Sequence, residues 1–127
     1  MNKVLSLTIS LLSASILMAE ISDEQRVENE NLATEKCGAC HLMGKITKEK
    51  LNRMAAPPYW AIAKNVKLKY PNKIDGINFM MDFTINPAEN KMLFPKETKE
   101  RFGLMPSQKD NVTKDELKNI INYILGE

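Results

Sequence analysis

The clearest periodicity lies at the end of the chain. Leu117, Ile120, Ile121, Ile124 and Leu125 recur at i, i+3, i+4, i+7 and i+8, one face of an α-helix. Thr113-Lys114-Asp115-Glu116 supplies a capping box at its start, and Gly126 follows its end. Weaker versions of the pattern precede it. Ser22-Asp23-Glu24-Gln25 also has capping-box form and predicts a first helix to about Lys36. Its apolar face is thin, only Val27, Leu32 and Ala33, so it needs tertiary partners or a cofactor. Pro57-Pro58 opens a second helix with Trp60, Ile62, Ala63, Val66 and Tyr70 apolar, ended by Pro71. A third runs from about Asn72 to Ile85 and stops at Asn86-Pro87. A short helix from Pro95 to Phe102 is closed by Gly103. Long alternating strand patterns are missing. The prediction is an all-α fold of about five helices joined by loops.

The first residues follow a different rule. Met1-Asn2-Lys3 is a basic start, Val4 to Met18 is apolar, and Ala19 precedes the acidic run Glu20, Asp23 and Glu24. This is the layout of a secretory signal peptide over residues 1–19, leaving 20–127 as one mature domain. The apolar run of about 15 residues is shorter than the ~20 that span a bilayer as a helix. An uncleaved anchor stays open as the alternative, because Leu17 stands where a smaller residue is preferred. No cysteine near the junction offers a lipid attachment point.

The chain's 127 residues suffice for one domain, and 43% hydrophobic with 27% charged residues is a soluble composition. A core this small leaves room for a cofactor to supply buried apolar surface. Formal net charge is small, +2 for the whole chain. Its distribution is uneven. Residues 20–36 are mainly acidic, whereas residues 42–73 carry Lys45, Lys48, Lys50, Arg53, Lys64, Lys67, Lys69 and Lys73 against Glu49 alone. The middle of the protein presents a basic surface. Lys45, Lys48, Arg53, Lys64 and Lys67 are candidates for docking an acidic partner, or form an ordinary solvated face.

Cys37-Gly38-Ala39-Cys40-His41 carries the chemistry. C-x-x-C-H is the attachment pattern of c-type haem: two thiols bind the porphyrin as thioethers, and the adjacent imidazole reaches the iron. These are the chain's only cysteines and its only histidine. A thioredoxin-like pair expects a βαβ setting, which is lacking. A closed zinc site needs four ligands, so carboxylates would have to complete it.

With no second histidine, a methionine thioether is the natural ligand for the other axial position. Met43 stands too near His41, and Met80 and Met81 read as helix core. Met54 and Met92 are in loops. Met105 follows Gly103-Leu104 and precedes Pro106, which holds it in a stiff, extended segment. It is the preferred ligand; simple packing is the alternative.

Cys37 to His41, Gly103-Leu104-Met105-Pro106-Ser107 and the terminal helix together resemble the class I bacterial cytochromes c, over most of the mature chain. The resemblance implies helices wrapped around one covalent haem c, with Leu32 and Ala33 meeting Ile120, Ile121 and Tyr123. It implies a proline carbonyl, of Pro57 or Pro58, accepting a hydrogen bond from His41. The chain departs from the family in a small residue, Ala33, at the helix contact and in a longer loop between His41 and Pro57. Trp60 and Tyr70 are candidates for binding haem propionates, against ordinary core packing. The implied function is non-enzymatic electron carriage in the bacterial periplasm between redox-protein partners, without nucleic acid. Two alternatives stand beside it: a haem subunit of a larger periplasmic enzyme, and a gas-binding or sensory haem protein with a labile Met105. A thiol–disulfide enzyme would need Cys37 and Cys40 free.

Overall fold

The computed structural model describes residues 21–126; the expected signal peptide, residues 1–19, lies outside them. Six α-helices follow one another: α1 Asp23–Cys37, α2 Lys48–Arg53, α3 Tyr59–Lys69, α4 Lys73–Ile85, α5 Lys96–Phe102 and α6 Lys114–Leu125. A single 3₁₀ turn, Glu89–Lys91, stands between α4 and α5. Among the described residues no strand forms, and no helix is long and apolar enough to cross a membrane.

Most boundaries follow from local chemistry. Ser22 caps α1 by accepting from Gln25 N, but the expected capping box is only half made. Gln25 turns its amide instead to Asn29 Oδ1 at 3.0 Å, which satisfies a buried Asn. Asn72 caps α4 by accepting from Ile74 N and Asp75 N. Thr113 and Glu116 complete the box at α6. The extra helix, α2, was not expected. It is only six residues long, Leu51 is its one large apolar side chain, and Thr47 caps it through Lys50 N.

The core forms where α6 meets α1, α3 and α4. Ile120 and Ile121 of α6 are each 1% exposed, and Ala33 of α1 is fully covered against them. Leu32 and Tyr123 pack on the edge of this cluster. The absence of a long side chain at Ala33 lets the two helices approach. Gly76 plays the same part where α4 crosses α3: a Cβ there would stand 3.2 Å from Val66 Cγ1. Burying these aliphatic side chains stabilises the fold by roughly 1.5–3 kcal/mol each.

Candidate haem-binding site

The attachment segment leaves the C-terminal end of α1 and is folded back by its own backbone. His41 N donates to Cys37 O at 3.0 Å, and Cys40 N to the same oxygen at 3.3 Å. Cys40 O in turn accepts from Ala55 N at 2.9 Å and Ala56 N at 3.1 Å, while Tyr59 N donates to Leu42 O at 3.1 Å. The segment after α2 is thereby laid alongside the residues Cys40 to Leu42. That pairing brings Pro57 O to 2.6 Å from His41 Nδ1. Of the two prolines anticipated, Pro57 makes the contact, and Pro58 caps α3 through its backbone.

A carbonyl oxygen can only accept, so Nδ1 carries the proton and Nε2 keeps its lone pair. Burial also lowers the His41 pKa below 6.5, only partly opposed by the bond to Pro57. The ring is therefore a neutral imidazole with one nitrogen ready to ligate. Its partner in the motif, Cys37, is a protonated thiol: burial, and then the neighbouring Cys40, push its pKa up to about 11. Cys37 and Cys40 form no disulfide, and Cys40 is exposed.

Cys37, Cys40 and His41 line one cavity of ≈ 400 Å³, and Met105 lines it too. The helices turn matched faces to it. Ile62, Asn65 and Val66 come from α3, Phe79, Met80, Phe83 and Thr84 from α4, and Leu117, Ile120, Ile121 and Ile124 from α6. These are i, i+3, i+4 sets, so one stripe of each helix forms the wall. Leu93, Phe94 and Phe102 add apolar surface from the segment around α5. Among the described residues Lys36 is the one Asp, Glu, Lys or Arg in the lining.

The volume falls within the ~300–1,000 Å³ of cofactor-sized pockets, and the wall is apolar with thiol, imidazole and thioether groups. This donor set fits a haem: two thiols for the ring edge, His41 and Met105 for the iron, and aromatic surface for the macrocycle. Among the described residues no group of three or more His, Cys, Asp and Glu is placed to hold a metal ion.

The other anticipated residues are distributed differently. Met43, Met80 and Met92 also line the cavity; Met43 and Met80 are buried core as well. Met54 does not line this cavity; it lines a smaller pocket with Lys50, Arg53 and part of the segment Gly38 to Met43. Trp60 and Tyr70 do not line the cavity. Trp60 is 38% exposed and packs edge-on to Tyr59, and Tyr70 stacks on Phe79 with ring centres 5.0 Å apart. Beside Lys36 and the Cys37 to His41 segment, the polar side chains that line the main cavity are Asn65, Thr84, Thr98, Gln108 and Asn111, none of which belongs to a recognisable motif.

No family model and no solved structure matches the chain. It is similar to an uncharacterized protein of Aquifex aeolicus (strain VF5), 29% identical over 82 residues. That match covers 55% of this chain and 53% of the relative, so the chain spans about half the length of the protein it resembles.

Proposed function

We propose that the chain is an exported mono-haem c-type cytochrome of the bacterial periplasm that carries single electrons. One observation supports this above others: Met105, far along the chain from Cys37, Cys40 and His41, lines the same largely apolar cavity as they do. When bound, the haem supplies an iron that gains and loses one electron. The chain's residues hold it. Cys37 and Cys40 would hold it as thioethers, each supplying its sulfur to one vinyl carbon and its hydrogen to the other, so attachment would need no oxidant. His41 offers Nε2 because Pro57 O holds the proton on Nδ1. Met105 would offer a neutral thioether, and that ligand with the largely apolar wall would favour the reduced state. No residue of the wall is required to move a proton during transfer.

The raised pKa of Cys37 also counts against a thiol–disulfide enzyme, whose attacking cysteine is normally lowered. Partners are redox proteins, and the lysines of α3, Lys64, Lys67 and Lys69, are exposed to meet an acidic one.

Intact mass and an absorption spectrum of the exported protein test the reading. The expected mass is the chain without residues 1–19 plus one haem, with the spectrum of a low-spin, six-coordinate iron. Colourless protein from a host able to attach haem, with unmodified cysteines, overturns it.

A further inference from the structure

The segment from Gly103 to Val112 holds Met105 yet forms no regular secondary structure, apart from a turn at its end. Its order has to come from side chains and caps. Two amide side chains supply much of it. Asn111 Nδ2 donates both to Lys36 O at 3.3 Å and to Gln108 Oε1 at 3.0 Å. Gln108 Nε2 donates onward to Pro106 O at 2.9 Å. This chain of bonds begins one residue before Cys37 and ends one residue after Met105.

Further bonds brace it from both sides. Lys36 Nζ returns to Asn111 O at 3.1 Å. Gln108 N donates to Thr84 O at 3.0 Å, at the end of α4. Lys36, Gln108 and Asn111 all line the cavity beside Met105.

We propose that Gln108 and Asn111 are positioning residues that fix Met105 relative to the attachment helix. The proposal rests on the reading of Met105 as an iron ligand. A thioether is a weak ligand, and a loop free to move away would release it. The two amides couple the loop to α1 through directional bonds at both ends. Because Asn111 donates to both Lys36 O and Gln108, and Gln108 accepts that bond and donates onward, losing either side chain interrupts the amide connection.

The test uses haem-loaded protein carrying Asn111→Leu, Gln108→Leu or both, with Asn52→Leu as the control on α2. Sulfur ligation gives ferric haem a weak long-wavelength absorption band. The temperature at which this band is half lost should fall in both single variants, while haem mass and helical circular dichroism stay unchanged. Carbon monoxide should bind the ferrous variants roughly two- to tenfold faster, the effect of about one net hydrogen bond. The double variant should match the larger single effect, because the two residues act in one chain. Parent-like band temperatures and carbon monoxide rates in both single variants overturn the proposal alone. A parent protein that lacks the band overturns the ligand reading and the proposal together.

Discussion

His41 Nδ1 stands 2.6 Å from Pro57 O, a contact spanning sixteen positions of sequence and flanked by the backbone bond from Ala56 N to Cys40 O. It chooses the tautomer before any metal is present. If the protein carries haem as proposed, NMR of its low-spin ferrous form should therefore find one slowly exchanging imidazole proton, on Nδ1, with a through-bond coupling to the Pro57 carbonyl. A rapidly exchanging proton, or one on Nε2, counts against the arrangement.

Burial separates side chains that sequence alone treats alike. Ile120 and Ile74 are both helical isoleucines, but Ile120 is 1% and Ile74 66% exposed. Ile120→Ala should lower unfolding stability by about 2–5 kcal/mol, since it removes packed methylenes and leaves a void. Ile74→Ala should stay within roughly 0.5 kcal/mol of the parent. Urea unfolding of both variants checks the pair, and equal effects would contradict the packing described.

These contrasts show what was legible beforehand. The boundaries of α6 were readable because capping chemistry and a full apolar stripe agree there. Cys37, Cys40, His41 and Met105 line one cavity, and the C-x-x-C-H spacing and the Gly103 to Pro106 context had singled out the same four residues. Residue type alone did not show the helical phase of α3: Ile62 and Val66 share its cavity face, and Trp60 does not. α2 escaped because a single Leu51 cannot make a period. Gln108 and Asn111 carried no signal at all, since an amide's role depends on partners that only the folded chain brings near.

Tyr123 makes stability pH-dependent on the alkaline side. Its hydroxyl accepts from Gly44 N at 2.8 Å. Burial raises its pKa above 10.0, more than the Gly44 bond lowers it. The fold thus prefers the neutral phenol, so this contribution is complete below the ordinary tyrosine pKa and is lost as pH rises through the folded value. Tyr123→Phe should cost about 1 kcal/mol at neutral pH through the lost bond. It should also flatten the decline of stability between neutral and strongly alkaline solution. Denaturation curves at both pH values check this; an undiminished alkaline slope in the variant assigns the effect elsewhere.

The loop that presents Met105 begins at a backbone conformation nearly reserved for glycine. Gly103 has φ 72° and ψ −167°, and its N–H closes α5 on Lys99 O at 2.8 Å. Nothing lies within 4 Å of where a Cβ would stand, so the constraint is torsional and not a collision. Gly103→Ala should therefore cost about 1–3 kcal/mol of strain. Relaxing that strain rotates the chain just ahead of Leu104 and Met105. If Met105 ligates iron, the variant should retain haem and helix content yet lose the long-wavelength ferric band at a lower temperature than the parent. Loss of stability with the band temperature unchanged would leave Gly103 as a helix stop with no hold on the ligand.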